Sequence, residues 1–288
     1  MINSCIVAGI VVLYNPVIGE VLENINSYID DLDFLYCIDN SDKTRTEFDT
    51  KDKISYIPLG KNTGLANALS IGCDVAIKNG AEILVTMDQD TFFEKKSLKK
   101  LLHEVMMNGN IVVTPNIKRI TRKNGERYFH ESAIYDNKDV EVSWAITSGS
   151  VFTSDLYRIV NGFDKCLFIG QIDQDFCTSV YQNGYKVIRK GNAFIYQELG
   201  NAKKYNLLFI KKGYAPNLSP IRYYYVFRNE RYLRKKWGNA YNPNRVSLYK
   251  YFFVVLLFEN NKFEKIRNMI SGYVDGKKLK GNRNENIC

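Results

Sequence analysis

Two aspartates separated by a single residue stand at the end of an apolar segment. The segment Ile83–Met87 predicts a buried strand, and Asp88 and Asp90 follow it directly. Ligands of open α/β sheets bind outside the carboxyl ends of the strands, and carboxylate oxygens there suit Mg²⁺ or Mn²⁺, ions that bind diphosphates. We therefore predict a divalent-metal site at Asp88 and Asp90. The alternative is a chance pair, because the chain contains three such Asp-x-Asp tripeptides.

Two polar turns after other apolar segments are candidate ligand contacts. Asp39 follows Phe34–Ile38, and its carboxylate could accept a hydrogen bond from the imide N–H of a pyrimidine base or simply form a turn with Asn40. The turn Asn62–Gly64 precedes the helical pattern of Leu65–Lys78, and backbone donors at a helix start suit an anionic or polar ligand. An ordinary capped turn is the alternative there.

Strand and helix patterns alternate from Cys5 to Thr114, which predicts an α/β fold with a parallel sheet and right-handed crossovers. Further along, Thr121–Phe129 predicts a hairpin around Asn124-Gly125, and Asp173–Gln182 predicts a helix with Asp173 as its N-cap. The strands expected in the first part are Cys5–Tyr14, Phe34–Ile38, Ile54–Ile57, Ile83–Met87 and Ile111–Thr114, and the helices lie around Val21–Ile29, Leu65–Lys78 and Leu98–Val105.

The charge of the chain divides it into two parts. Residues 201–288 contain 19 Lys and Arg against 5 Asp and Glu, whereas residues 1–200 contain 21 against 26. We predict a catalytic α/β domain over 1–200 and a basic, aromatic-rich helical region over 201–288. The basic region favours an anionic partner such as a phosphate or a lipid headgroup, and no nucleic-acid-binding motif accompanies it. The alternatives are an appendage packed on the domain and a contact between two copies of the chain.

The cysteines and apolar segments bear on location. Six cysteines occur without Cys-x-x-Cys pairs, and we expect reduced core thiols of a cytoplasmic protein. The start of the chain lacks a basic segment and a cleavage site of the secretory type. The apolar run Tyr251–Phe258 is too short to span a bilayer. Its basic and aromatic neighbours favour peripheral attachment to the inner face of the cell membrane.

Several motifs occur in a fixed order between Cys5 and Leu233. In that order and spacing they resemble the family-two inverting glycosyltransferases, and among these the bacterial rhamnosyltransferases that use dTDP-rhamnose. The resemblance implies a GT-A type, Rossmann-like domain with a central mixed, mostly parallel sheet. The segments that carry it are Val11–Pro16, Ile38–Ser41, Asn62–Ala68, Asp88–Asp90, Ser148–Ser150, Gly162–Asp164, Leu167–Ile169, Asp173–Cys177, Ser219–Tyr224 and Arg228-Asn229.

The resemblance implies transfer of rhamnose or a similar sugar from a dTDP- or UDP-sugar, with Mn²⁺ or Mg²⁺ as cofactor. The acceptor would be a saccharide, either free or lipid-linked, in surface polysaccharide synthesis. Asp173 would be the base that takes the proton of the acceptor hydroxyl, with Asp175 orienting or tuning it, while a helix cap remains the alternative for Asp173. The residues implied in donor binding are Tyr14, Asn15, Asp39, Asn62, Gly64, Asp88, Arg222 and Arg228.

The acceptor side and one departure from the family complete the expected site. Trp144 would stack on an acceptor sugar or fill the core, and Ser148 and Gly149 would line the acceptor site with it. Where the subgroup has a histidine, which is a metal ligand in some relatives, this chain has Gln197. The carbonyl oxygen of Gln197 or the carboxylate of Glu198 would then be the third metal ligand.

Two other functions are alternatives to sugar transfer. A nucleotidyltransferase would have a glycine-rich, basic loop after the first strand, and Tyr14-Asn15-Pro16 lacks it. A catalytically inactive module that binds a sugar nucleotide or a membrane would keep the fold and the basic region. It is distinguished from an enzyme by metal-dependent nucleotide binding and by the role of Asp173.

Overall fold

The computed structural model describes residues 5–45, 47–48, 52–123, 126–130, 137–198, 203–207, 210–241 and 247–280. The chain forms two compact units. The first contains Met1–Phe168 and Ile172–Glu198, and the second contains Ile169–Gln171 and Leu199–Cys288. The division after Glu198 lies close to the point at which the sequence becomes strongly basic.

The first unit is an α/β fold built on one sheet. Its strands are β1 (Val7–Leu13), β2 (Phe34–Asp39), β3 (Ile54–Pro58), β4 (Ile83–Asp88), β5 (Thr91–Phe93), β6 (Val112–Lys123), β7 (Glu126–Phe129), β8 (Val140–Glu141), β9 (Ser150–Thr153) and β10 (Val187–Glu198). Its helices are α1 (Ile18–Ile25), α2 (Leu65–Lys78), α3 (Ser97–Asn108), α4 (Ser154–Ile159) and α5 (Ile172–Gln182).

The sheet is mixed and mostly parallel, which confirms the predicted fold class. The strand order is β3-β2-β1-β4-β9-β6-β10-β5, with β7 beside β6 and β8 beside β10. The neighbours β3, β2, β1 and β4 are parallel, as are β6 and β10, whereas β9 and β5 run antiparallel to their neighbours. Because β1 lies between β2 and β4, the strand order reverses there, and such a switch point is where α/β sheets bind ligands.

Most of the predicted elements are confirmed, and one cap is not. Helix α2 has the predicted bounds, and β6 and β7 form the predicted hairpin, whose Asn124-Gly125 turn lies outside the described residues. Helix α5 begins at Ile172, so the prediction that Asp173 is its N-cap is wrong. A carboxylate inside the first turn is still favoured by the positive end of the helix dipole.

The second unit is only partly the helical region that the sequence predicts. It contains the helices α6 (Pro220–Trp237), α7 (Leu248–Phe258) and α8 (Lys262–Lys278), together with the antiparallel strands β11 (Lys203–Leu207) and β12 (Ile210–Ala215). The strand pair was not predicted. A small apolar core joins the helices and contains Tyr223, Phe227, Val255 and Met269.

Helix α8 lies against the backbone of α6. A methyl group built at Gly272 would stand 2.1 Å from the carbonyl oxygen of Tyr224, and one at Gly276 would stand 2.4 Å from that of Arg228. These distances are far below van der Waals contact, so only glycine permits this approach.

Four thiols agree with the expected redox state. Cys5, Cys37, Cys73 and Cys177 are free, and burial raises the pKa of Cys37 to about 12, so that this thiol stays protonated. Cys166 is disulfide-bonded, so the expectation of six reduced thiols is wrong there. Within the part of the chain that the structure describes, no helix has the length and apolar character needed to cross a membrane.

Candidate active site

The predicted carboxylate pair lies at the carboxyl end of the parallel strands. Asp88 is the last residue of β4 and is in register with Val12 of β1, while Asp90 lies in the turn that leads to β5. The Asp88 backbone N–H donates to the Ser148 hydroxyl at 3.0 Å. The Thr91 hydroxyl donates to Oδ1 of Asp90 at 3.2 Å. These contacts fix the strand end that carries both carboxylates.

The surroundings of Asp90 suit a cation ligand. Burial raises the pKa of the Asp90 carboxyl above its ordinary value, and the Glu198 carboxylate adds to the rise, while the Thr91 hydroxyl and the Arg119 guanidinium oppose it. A raised pKa means that this environment disfavours the charged form of the carboxyl group. A bound cation would offset that penalty.

Gln197 contacts the first carboxylate of the pair. Its Nε2 donates to Oδ2 of Asp88 at 3.1 Å, and its Oε1 accepts from Nη1 of Arg119 at 2.9 Å. In the sheet, Gln197 is in register with Thr91 of β5 on one side and with Arg119 of β6 on the other. Gln197 is therefore at the site, and a ligand role for Gln197 or Glu198 stays a prediction.

The donor set fits a metal that is shared with a substrate. Mg²⁺ is commonly held by one or two carboxylates, with substrate phosphates and water completing its shell, and Asp88 and Asp90 offer that pair. Among the described residues, no group of three or more His, Cys, Asp and Glu side chains could hold a metal alone. We therefore expect a metal and a nucleotide to bind this site together.

The middle residue of the tripeptide, Gln89, joins two of the strand-end turns. Its Oε1 accepts from the Tyr14 N–H at 2.8 Å, and its Nε2 donates to the Tyr14 carbonyl at 3.2 Å. The Asn15 N–H donates to the Ser41 hydroxyl at 2.7 Å, which adds the turn after β2. Tyr14 and Asn15, both predicted donor contacts, thus belong to one connected edge. No sequence pattern indicated a role for Gln89, because its partners are backbone atoms of a distant turn.

Asp39 lies at this edge, but its carboxylate is already engaged. Oδ2 accepts from Nη1 of Arg45 at 2.6 Å and from the Tyr56 hydroxyl at 2.7 Å, and Oδ1 accepts from the Ser41 N–H at 3.0 Å. Burial raises the pKa of Tyr56 to about 12, and its hydrogen bond to Asp39 adds to the rise. The Asp39 side chain is fully buried, so its contact with a pyrimidine base stays a prediction.

The turn before α2 does not offer backbone donors as expected. The Thr63 N–H donates to Oδ1 of Asn40 at 2.7 Å, the Gly64 N–H to Oδ1 of Asn62 at 3.0 Å, and the Leu65 N–H to the carbonyl of Phe168 at 2.6 Å. The interpretation of this turn as a set of open anion-binding donors is therefore wrong, because the protein itself uses them. Donor contacts of Asn62 and Gly64 through other atoms stay a prediction.

Two predicted acceptor residues make hydrogen bonds to the strand that carries the carboxylates. The Ser148 side chain is fully buried and its hydroxyl accepts from the Asp88 N–H. Gly149 is also buried, and its N–H donates to the Thr86 carbonyl at 2.7 Å. They support the carboxylate strand, and their contact with the acceptor stays a prediction. Trp144 is 36% exposed, which leaves its ring accessible, and its acceptor contact stays a prediction.

The second pair of aspartates lies in the first turn of α5. Asp173 is half-buried, and the Gln174 N–H donates to its Oδ1 at 3.0 Å. Asp175 is almost completely buried, which suits a supporting position better than contact with an acceptor. The role of Asp173 as base stays a prediction.

The two predicted donor arginines lie on α6 in the second unit. Arg222 is exposed. The Arg228 guanidinium lies 4.8 Å from the Tyr225 ring and donates from Nε and Nη2 to Oδ1 of Asn229 at 3.0 and 2.8 Å. Their contacts with a donor stay predictions.

Residues 10–161, more than half of the chain, match the family described as Glycosyl transferase family 2. With the sheet and the strand-end carboxylates, this match defines the class of protein: the chain belongs to glycosyl transferase family 2. Among known proteins it is similar to the dTDP-rhamnosyl transferase RfbF of Shigella flexneri, with 27% identity over 297 residues that cover 95% of this chain and 96% of that protein.

Solved structures share the fold. GalNAc-T7, crystallised with UDP, GalNAc and Mn²⁺, has a TM-score of 0.61 and 13% identity over 88% of this chain and 50% of its own. TarS of S. aureus has a TM-score of 0.58 and 16% identity over 95% of this chain and 49% of its own. This chain thus spans about half the length of both proteins. The likeness agrees with the GT-A glycosyltransferase fold.

Proposed function

We propose that this glycosyltransferase moves rhamnose or a similar sugar, with inversion, from a dTDP- or UDP-sugar to a saccharide acceptor in surface polysaccharide synthesis. The observation that carries the proposal is the Asp88 and Asp90 pair at the end of β4, anchored by Ser148 and joined to the turn after β1 through Gln89. Similarity to a dTDP-rhamnosyl transferase over 95% of the chain supports the donor class.

The proposed reaction divides the work between the two aspartate pairs. Asp88 and Asp90 hold Mg²⁺ or Mn²⁺, which when bound supplies a Lewis acid for the charge of the leaving nucleoside diphosphate. Asp173 takes the proton of the acceptor hydroxyl as its oxygen attacks the anomeric carbon, and buried Asp175 helps to orient Asp173. Trp144 offers its ring to the apolar face of the acceptor sugar.

Calorimetry with dTDP and UDP tests the donor site. We expect one of the two nucleotides to bind in the presence of Mn²⁺ or Mg²⁺ and not in EDTA. Asp88→Asn and Asp90→Asn should abolish this metal-dependent binding. Asp155→Asn is the matched control, since Asp155 is 75% exposed on α4. Metal-dependent binding that survives in both site variants would refute the metal assignment. A folded protein that binds neither nucleotide would instead favour an inactive module that binds a membrane through its basic region.

The role of Asp173 has a separate test. Asp173→Asn should bind the donor nucleotide with wild-type affinity and lose transfer by about 10²- to 10⁴-fold, the usual contribution of a general base. Transfer is measured as release of the nucleoside diphosphate in the presence of acceptor. Loss of donor binding together with transfer, or loss of neither, contradicts the assignment.

An apolar stripe on α7 supports a membrane partner. We define it as Tyr249, Phe253, Leu256 and Leu257, which recur at helical spacing and are all exposed, with Tyr249 at 83%. A contiguous exposed apolar surface marks an interaction site. Because residues 201–288 carry 19 Lys and Arg against 5 Asp and Glu, we propose an anionic membrane surface as the partner. The enzyme would then sit on the cytoplasmic face, within reach of a lipid-linked acceptor.

Vesicle sedimentation tests this partner. The wild type should sediment with vesicles of phosphatidylglycerol in phosphatidylcholine and much less with phosphatidylcholine alone. A Phe253→Ser, Leu257→Ser double variant should lose most of this binding, and Met107→Ser, on a 71% exposed apolar residue of α3, should not. If the double variant instead converts a dimer to a monomer in light scattering and vesicle binding is absent, the stripe is a contact between two copies.

A further inference from the structure

A chain of hydrogen bonds runs across three strands at the carboxylate pair. Arg119 on β6 donates to Gln197 on β10, and Gln197 donates to Asp88 on β4. Because Gln197 is in register with Arg119 and with Thr91 of β5, the side chains of these three residues project from the same face of the sheet. The position of Arg119 beside the metal site is therefore fixed by strand pairing.

The chemistry of the partners assigns the orientation of the Gln197 amide. A guanidinium has only donors, so the atom of Gln197 that faces Arg119 is the carbonyl oxygen. The amide NH₂ then faces Asp88, where a carboxylate accepts it. A metal needs the amide oxygen, and that oxygen is committed to Arg119. Gln197 in this arrangement is thus a bridge between a guanidinium and a carboxylate.

The charge that this bridge positions suits a diphosphate. The guanidinium of Arg119 is held through Gln197 in a chain of hydrogen bonds that ends at Oδ2 of Asp88, so its positive charge lies near the carboxylate pair. The Arg119 side chain is exposed, and a guanidinium matches the oxygens of a phosphate through paired hydrogen bonds. A positive group at this place would also stabilise the charge that develops as the nucleoside diphosphate leaves.

We propose that Arg119 binds the diphosphate of the nucleotide-sugar donor beside Asp88 and Asp90, and that Gln197 is its positioning residue and not a metal ligand. This inference rests on the proposed function, because it takes the donor diphosphate to bind at the carboxylate pair. It adds a cation from the first unit to the site, and it replaces the predicted third metal ligand with a hydrogen-bond bridge.

Calorimetry separates the diphosphate contact from the rest of the donor site. With whichever of dTDP and UDP the wild type binds in Mn²⁺, Arg119→Gln should weaken the affinity about tenfold, or 1.4 kcal/mol, and Arg119→Lys should weaken it less. Binding of the corresponding nucleoside, which has no phosphate, should not change. Arg158→Gln, on an exposed arginine of α4, is the control. Wild-type affinity of Arg119→Gln for the diphosphate overturns the proposal while the proposed function stands, whereas absence of nucleotide binding by the wild type overturns both.

Manganese binding tests the bridge without catalysis. Electron paramagnetic resonance of free Mn²⁺, with protein and a saturating concentration of the nucleotide that the wild type binds, should show that Gln197→Leu retains wild-type metal binding while Asp88→Asn loses it. The same Gln197→Leu variant should weaken diphosphate binding in the manner of Arg119→Gln. Gln197→His should raise the affinity for Mn²⁺, because the imidazole is a metal ligand. If Gln197→Leu loses Mn²⁺ as completely as Asp88→Asn does, Gln197 is a ligand and the bridge is refuted.

Discussion

Replacing Ser148 by alanine should damage the metal site without touching a carboxylate. The Ser148 hydroxyl accepts from the Asp88 N–H at 3.0 Å, and its side chain is fully buried. Alanine leaves this N–H without its acceptor, in a place where water does not easily replace the hydroxyl. A buried donor that loses its partner costs about 1–3 kcal/mol, so we expect the free energy of unfolding to fall by that amount. Because the lost bond holds Asp88, metal-dependent nucleotide affinity should fall as well.

Urea denaturation and calorimetry together measure both effects. Ser148→Cys keeps the size of the side chain and a weaker acceptor, so it should lie between wild type and alanine in stability and in affinity. Ser55→Ala, on an exposed position of β3, is the control and should change the unfolding free energy by less than about 0.5 kcal/mol. Wild-type stability and wild-type nucleotide affinity in Ser148→Ala would refute the view that Ser148 anchors Asp88. A stable variant with lost transfer and intact donor binding would return Ser148 to the acceptor side.

Three further predictions concern packing and pH. Gly64→Ala should lower the unfolding free energy by more than about 1 kcal/mol in urea denaturation. The reason is that residue 64 has φ 90° and a methyl group there would lie 2.9 Å from the carbonyl oxygen of Phe168. An unchanged denaturation midpoint would contradict that contact. Gly272→Ala should destabilise the second unit through its 2.1 Å approach to the Tyr224 carbonyl oxygen, and proteolysis of residues 199–288 should quicken while α1–α5 resist. The pKa of Tyr56 is raised from 10.0 to about 12, so its contribution to stability is complete below pH 10 and is lost as pH rises towards 12. Tyr56→Phe should remove this part of the loss of unfolding free energy at alkaline pH. An ultraviolet titration of this tyrosine near pH 10 would contradict the prediction.

The sequence predicts the parts of the site that depend on local patterns. Helix α2 ends where Asn79-Gly80 interrupts its apolar spacing, and both the spacing and the stop signal lie within the segment itself. Asp88 follows a continuous apolar run, which is typical of a strand buried on both faces, and the structure places it at the end of β4. These features need no knowledge of distant neighbours, and for that reason they could be read directly.

The features that were missed depend on partners far away in the chain. The hydrogen bond between Ser148 and Asp88 was not predicted, because Asp88 lies 60 residues earlier in the chain. Arg119 and Gln197 meet because β6 and β10 pair in parallel across 78 residues. No composition or periodicity indicates such a pairing. The pair β11 and β12 was missed because a basic, aromatic composition indicates a surface and its partner more strongly than it indicates a strand.

The two hydrogen bonds between Gln89 and the Tyr14 backbone have a consequence for protein engineering. A primary amide offers one acceptor and one pair of donors on a single short group, and Gln89 uses both kinds on one peptide unit. The middle position of the tripeptide is therefore not a neutral spacer. Exchanging Asp88–Asp90 alone between relatives would leave the Tyr14 backbone without its two hydrogen bonds to Gln89. Grafts that aim to change donor preference should transfer Tyr14–Asn15 and Asp88–Asp90 as a single cassette.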